Sequence, residues 1–278
     1  MNLGVDIGSY YTKTSKEISF LSKVSVLSNS LDNKDFIYKD NQKVYLGEGE
    51  FDTEYRKAYR DDYLLLLQGA IEKSTSDKRN KIVVGLPLIQ YQEDKEYLIN
   101  RILQSKLVDD VEVVPEGVLT VPGEYEGMII DVGGRTTDIC MLSNEHGIRK
   151  IRKPLSIPRG ALNLENEFIN RINKRYGLDL TQSDAERIIK NGLFIYGKQQ
   201  PVDITVFKDF VEDIVRKIQI DYSIKTNNVV IVGGGAELLY NPFKLRIPQL
   251  YKVKNAFYSN AIAYGRYAQE VFNEKNRY

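Results

Sequence analysis

Residues 3–13, Leu-Gly-Val-Asp-Ile-Gly-Ser-Tyr-Tyr-Thr-Lys, return at 128–138 as Met-Ile-Ile-Asp-Val-Gly-Gly-Arg-Thr-Thr-Asp. Laid in register, Asp6 meets Asp131, Gly8 meets Gly133, Ser9 meets Gly134 and Thr12 meets Thr137. Each copy reads as an apolar strand with an aspartate at its end, a tight glycine turn and a second strand. Asp-x-Gly turns are common in unrelated β-hairpins, so either copy alone says little. Two copies in register, one opening each half of the chain, predict a molecule built from two similar units.

The design suits one kind of ligand. A glycine after the strand lets the backbone come close to a phosphate and turn its N–H groups toward it. An aspartate at the strand end can hold a hydrated Mg²⁺, which keeps several waters and takes few protein ligands. Two such hairpins facing each other across a cleft would grip the β- and γ-phosphates from both sides. Nothing in the chain matches Gly-x-x-x-x-Gly-Lys-[Ser/Thr], so a P-loop enzyme is excluded.

Between and after the hairpins, strand-like and helix-like stretches alternate, which predicts two α/β layered domains. Residues 18–49 read as small antiparallel strands. The spacing over 52–73 predicts a helix with Tyr63, Leu66, Leu67, Ala70 and Ile71 inward. Residues 82–87 and 111–114 read as strands around a helix over 93–107, and a connector, Pro115-Glu116-Gly117-Val118-Leu119-Thr120, leads to the second hairpin. Beyond it, 139–142 and 148–151 are expected to pair, followed by helices over 162–176, 182–190 and 206–222. A strand over 229–232 runs into Gly233-Gly234-Gly235-Ala236, and 256–272 contains the last helix. The expected division is 1–122 with 256–278 as one domain and 123–255 as the other.

With 42% apolar and 28% charged residues in 278, the chain can bury a substantial core. Its net charge of +1 excludes general electrostatic attraction to nucleic acid or anionic membrane. The lone cysteine, Cys140, suits a reducing compartment. The start lacks the layout of a signal peptide, and the apolar stretches are too short to cross a bilayer. A cytoplasmic location is expected, with neither a membrane nor direct nucleic acid as partner.

Asp-x-Gly-Ser-x-x-x-Lys (6–13), an acidic residue in the connector, Asp-x-Gly-Gly-x-Thr-Thr-Asp (131–138) and an apolar strand into Gly-Gly-Gly-Ala (233–236) occur in that order. This resembles the superfamily of actin, DnaK-type chaperones and hexokinase. Asn260-Ala261-Ile262-Ala263-Tyr264-Gly265 resembles its final connecting helix, and Gly-Gly-Gly-Ala-Glu-Leu-Leu and Val-Gly-Leu-Pro-Leu are similar to plasmid-segregation actins of the ParM type. The resemblance implies two ribonuclease-H-like (actin-fold) domains around a nucleotide cleft. It also implies ATP hydrolysis with Mg²⁺ (GTP being left open), self-assembly into filaments, and plasmid DNA reached through an adaptor. Asp6 and Asp131 would be the metal-side aspartates and Glu116 the residue that orients the attacking water. Gly8, Ser9, Tyr10, Lys13, Gly133, Gly134, Arg135 and Thr136 would hold the phosphates. Gly233, Gly234, Gly235 and Ala236 would pass under the adenosine, Gly160 would let its helix approach the nucleotide, and Glu186 and Lys190 would face ribose or base.

The chain also departs from that pattern. Tyr10 and Tyr11 are bulky where relatives carry small residues. Arg135 either adds charge to the phosphate site or pairs with a carboxylate on the rim. Only 191–203 stand where relatives insert an outer subdomain, so that subdomain is expected to be missing or reduced to a hairpin, as in AlfA. The basic edge Arg149 to Lys153, facing Asp32, Asp35 and Asp40, is a candidate for contacts between copies. Cys140 and His146 are expected to be structural. Two further readings of the fold stay open, a small-molecule kinase and a non-catalytic scaffold for division or pilus assembly.

Overall fold

The two copies of the repeat open two sheets of the same topology. The computed structural model describes residues 1–28 and 34–274. In the first half, β1 (Asn2–Ile7), β2 (Tyr11–Thr14) and β3 (Ser19–Leu21) form an antiparallel run. Strands β4 (Lys23–Ser25), β5 (Phe36–Lys39) and β6 (Gln42–Phe51) make a separate small sheet. Helix α1 (Tyr63–Ser74) leads to β7 (Lys81–Leu86), and α2 (Tyr91–Gln104) to β8 (Asp110–Pro115). Both strands join in parallel, giving the order β3-β2-β1-β7-β8.

The second half repeats the plan. Its antiparallel run is β9 (Gly127–Val132), β10 (Thr137–Glu145) and β11 (Ile148–Ile157). Helices α3 (Ala161–Tyr176) and α4 (Ala185–Asn191) follow, then a hairpin of β12 (Leu193–Ile195) and β13 (Lys198–Gln200). After α5 (Thr205–Asp221), β14 (Val229–Val232), α6 (Ala236–Arg246) and β15 (Tyr251–Lys252) complete the order β11-β10-β9-β14-β15. The chain crosses between sheets at 116–126 and again at 253–258. It ends in α7 (Ser259–Glu274), which packs back on the first sheet.

Apolar periodicity explains the layers. The parallel strands are apolar on both faces because helices cover both, as Val83 and Val84, and Val229 to Val232, are buried on consecutive positions. Helix α5 buries Val206, Phe210, Val211, Ile214, Val215 and Ile218, the one-sided stripe that a sheet-packed helix requires. One core lies under each sheet, around Leu3, Val5, Leu66 and Leu67 in the first half and Ile130, Phe168, Phe210 and Ile214 in the second.

Two sequence expectations change, and a third is met. The helix expected over 52–73 starts only at Tyr63. Before it, Arg101 donates to the carbonyls of Ala58 (2.6 Å) and Arg60 (2.8 Å), which a helix would have used for itself. Arg60 forks onto Asp62 and also reaches Gly8 O at 3.0 Å. Second, the basic edge is tied down within the chain. Arg149 donates to Val118 O at 2.7 Å and to Pro122 O, Arg152 pairs with Glu145, and Lys153 donates to Asp221 O at 3.0 Å. Of the opposing acids, Asp35 pairs with Lys73 at 2.5 Å, and Asp32 lies outside the described residues. Third, the outer subdomain is the β12–β13 hairpin, closed by Tyr196 and Gly197 with φ of 49° and 77°. Positive φ at both positions marks the tight two-residue turn that suits strand twist.

Candidate functional site

A cavity of about 610 Å³ lies between the two sheets, within the usual range for small-molecule sites. Strand β1 delivers Asp6 to it from one side and β9 delivers Asp131 from the other. The turns that follow are closed alike, Gly8 N–H donating to Tyr11 O at 3.0 Å and Gly133 N–H to Thr136 O at 2.9 Å. The loops also touch each other, since a Cβ on Gly134 would fall 2.7 Å from that of Tyr10. Behind them, Gly233 holds a φ of 87° and passes so near Asp131 that a Cβ there would lie 2.2 Å from its Oδ1.

The strand pairing places Lys13 opposite Asp6 and Asp138 opposite Asp131. Asp6 is buried and bonded to Lys13 at 2.8 Å, with Lys57 at 3.6 Å. Burial alone would raise its carboxyl, but Lys13 and Lys57 outweigh that and hold it below its ordinary value. Lys57, also buried, bonds to Glu116 as well. Its backbone N–H donates to Gln90 Oε1 at 3.0 Å, which fixes the residue at the cavity wall.

Among the described residues Asp131 has no cationic partner. Burial first, and the nearby Glu116 second, push its carboxyl up to about 7, although Asn260 Nδ2 donates to Oδ2 at 2.8 Å. Asp138 rises to about 6 for the same two reasons. Its Oδ2 accepts from the Thr136 hydroxyl at 2.7 Å, whereas its Oδ1 is buried without a hydrogen bond among the described residues.

Both loop tips cross the cleft. The Tyr10 hydroxyl donates to Glu165 Oε2 on α3 at 2.9 Å and accepts from Gln182 Nε2 at 2.9 Å. The Tyr11 hydroxyl lies 3.4 Å from Glu186 Oε2 on α4, and its ring meets Phe257 edge-on at 5.2 Å. In the other direction, Arg135 donates to the main-chain oxygen of Asp52. Arg135 lines the cavity, and the partner it donates to is a carbonyl of the opposite half rather than a rim carboxylate.

Of the expected residues, Asp6, Gly8, Ser9, Tyr10, Lys13, Glu116, Asp131, Gly133, Gly134, Arg135, Thr136, Glu186, Gly233, Gly234 and Gly235 line this cavity. Lys190 stands exposed on α4 outside the lining, and Ala236 is buried behind it. Gly160 does not line the cavity either. A Cβ there would meet Gly134 at 2.5 Å, so it lets α3 approach the second loop, and Ala161 and Leu162 N–H donate to Gly133 O (3.0 Å) and Gly134 O (2.9 Å).

Sequence reasoning passed over Lys57 and Asp138. The repeat itself sets Asp138 against Lys13, so a signal for it existed. Lys57 had none, because its stretch imitates helical spacing and a cleft lysine reads like any solvated one.

The carboxylates fit a hard cation. Asp138 Oδ1 is an orphaned buried oxygen, and Asp6, Asp131 and Glu116 open onto the same cavity. Among the described residues no group of three or more His, Cys, Asp or Glu is close enough to hold an ion by itself. A hard cation held there by one or two of these carboxylates would take its other ligands from water or a bound phosphate.

Comparison with known proteins supplies the context. No curated protein matches the chain in sequence. The archaeal actin homologue Ta0583 in complex with ADP superposes with a TM-score of 0.79 at 19% identity, over 97% of this chain and 99% of that one. The structure of a 15-stranded ParM filament from Clostridium botulinum gives 0.76 at 19% identity, over 97% and 99%. MreB5 of Spiroplasma citri bound to ADP gives 0.71 at 17% identity, over 99% and 97%. Among the described residues no helix is long and apolar enough to cross a membrane. Residues 4–120 match the family model described as the N-terminal domain of actin-like proteins, and residues 129–245 that of the C-terminal domain of the archaeal actin homologue MreB-like, so the chain belongs to the actin-like proteins.

Proposed function

We propose that this protein binds Mg-ATP between its two hairpins, hydrolyses it, and couples hydrolysis to assembly of its own copies into filaments. The observation that carries the reading is the convergence of Asp6, Lys13, Lys57, Glu116, Asp131 and Asp138 on one cavity between two matching glycine turns. Phosphoryl transfer to water needs positioning and charge neutralisation more than covalent help from the protein.

Lys13 and Lys57 bring two buried cations to the phosphate end, and the turn residues Gly8, Ser9, Gly133 and Gly134 line the same space. Asp6 and Asp131 would hold Mg²⁺ from the two sides, which would draw charge from the β- and γ-phosphate oxygens. Glu116 orients the attacking water. Asp138 keeps a carboxyl whose affinity for a proton lies near neutrality and whose Oδ1 is free to accept one. Glu186, Ile189, Leu238 and Phe257, with Gly234, form the far end, where an aromatic and aliphatic wall suits a purine.

Filament assembly is supported by relatives of the same fold whose structures are described as filaments, namely ParM, Alp12 and MamK. We further propose that the filament moves plasmid DNA through a DNA-binding adaptor. The net charge of +1 leaves no general nucleic-acid attraction of the chain's own. Cytoplasmic residence goes with that task.

Phosphate release and light scattering of the purified protein with Mg-ATP test the reading together. Turnover that rises with assembly is expected. Glu116→Ala should bind and assemble while releasing phosphate about 10²-fold more slowly, so that its filaments last longer. Turnover that requires an added acceptor and no scattering would point to a kinase, and assembly with no turnover to a scaffold. Either result would overturn the proposal.

A further inference from the structure

The first turn of α7 reaches out of the first half into the second. The body of the helix is anchored on the first sheet, with Tyr264, Ala268 and Phe272 packed against Val83 and Val114. Its two leading residues, Ser259 and Asn260, are buried at the crossing. Asn260 Oδ1 accepts from Gly117 N–H at 3.0 Å, and its Nδ2 donates to Asp131 Oδ2 at 2.8 Å. Beside it, Ser259 Oγ accepts from Gly233 N–H at 3.5 Å.

This arrangement needs an amide. A carboxylate has no proton to give Asp131, and an ammonium has no lone pair for Gly117. The amide also has one usable orientation, since a flip would set NH₂ against N–H and a carbonyl against a carboxylate. Gly117 directly follows Glu116, whose own N–H donates to Leu86 O at 2.9 Å. The peptide of Glu116 is therefore held on one side by the end of β7 and on the other by Asn260.

We infer that Asn260 is a positioning residue of the hydrolytic site, fixing Asp131 and the Glu116–Gly117 segment in a single relative position from the root of α7. Asn260 borders the same cavity, and in this reading it acts through the Asp131 carboxylate and the backbone beside Glu116. The inference rests on the ATPase reading above and names the side chain that holds together two carboxylates carried by different sheets.

The test uses Asn260→Ala and Asn260→Asp in the full chain, with steady-state phosphate release from Mg-ATP, thermal melts, and amide exchange of the 116–119 peptide. Loss of a hydrogen-bonding partner behind a site carboxylate typically costs about 10–100-fold in activity. Both variants should therefore lose about 10–100-fold in kcat with KM within about threefold of wild type, because ground-state binding is untouched. Exchange should accelerate by about tenfold or more in Asn260→Ala, which loses the acceptor for Gly117, and stay slow in Asn260→Asp, which keeps it. Wild-type kcat in a folded variant would overturn the inference. So would a fall in kcat accompanied by an equal rise in KM, or loss of the melting transition in both variants, either of which assigns Asn260 to the fold alone. If wild type releases no phosphate, the ATPase reading falls instead, and slow exchange at Gly117 in Asn260→Ala would refute the bond separately.

Discussion

The two hairpins share a backbone and differ in charge. Each ends its first strand on a buried aspartate and turns through the same glycine hydrogen bond. Opposite Asp6 stands Lys13, whereas opposite Asp131 stands Asp138. The first aspartate is consequently held ionised by two lysines, and the second, lacking a cation, rises to about 7 beside a partner at about 6. The repeated strand and turn set where the carboxylates stand, and the lysines beside Asp6, against burial and Glu116 at Asp131, set how each one titrates. In the proposed function, duplicated geometry with divergent electrostatics would give one side fixed charge for polyphosphate and the other carboxyls that titrate near neutral pH.

Removing the uncompensated aspartate should break the comparison most. Asp131→Ala is expected to lower turnover by at least about 10³-fold, because in the proposed site it would be one of only two metal-side carboxylates. Titration calorimetry with Mg-ATP alongside phosphate release checks it. Unchanged affinity together with unchanged turnover would mean that the second hairpin is not part of the site.

Lys57→Met makes the first hairpin more like the second. It strips one cation from Asp6 and the only cation bonded to Glu116 among the described residues. Mg-ATP affinity should fall about tenfold, the equivalent of 1.4 kcal/mol. If affinity holds, Lys57 balances charge only in the empty cleft.

How much of this was legible follows from what each feature depends on. The topology was, because a repeat in register and alternating apolar periods are local signals. So were the cavity-lining residues that sit within a few positions of those glycines. Lys57 was not, because its position depends on Arg101 and Arg60 diverting the carbonyls and side chains that would otherwise build a helix. The tied-down basic edge escaped for a similar reason. Arg149 meets carbonyls of 118–122, remote in sequence, and no pattern of charges announces a carbonyl partner.

The second hairpin also predicts how the empty protein responds to pH. A carboxyl at about 6 in the folded chain and near 3.8 when unfolded binds its proton more tightly in the folded state. Folding then weakens as pH rises from about 4 to 6, and that loss is complete above the folded value. In EDTA without nucleotide, wild type should melt progressively lower over that window relative to Asp138→Asn, which keeps the shape and cannot ionise. A pH-independent difference between the two melting curves would sink the assignment of the raised carboxyl to Asp138.

The smallest expected effect concerns the loop tips, where the repeat aligns Tyr10 with Arg135. Each reaches the opposite half, Tyr10 to Glu165 and Gln182, and Arg135 to the backbone of Asp52. These are matching straps made of different chemistry. Tyr10→Phe keeps the ring and its packing on Phe51 but removes the hydroxyl. Glu165 retains Gln182, so the buried carboxylate is not stranded. The cost should be about 1 kcal/mol, the usual worth of one hydrogen bond, seen as a melting point lower by about 2–4 °C for a chain of this size. ADP should also leave a few times faster, because the strap ties a cavity-lining loop to the opposite half. Arg135→Met should reproduce the faster release if both straps hold the cleft shut. If Tyr10→Phe lowers the melting point without changing ADP release, the Tyr10 strap joins the two halves but does not govern the nucleotide's exit.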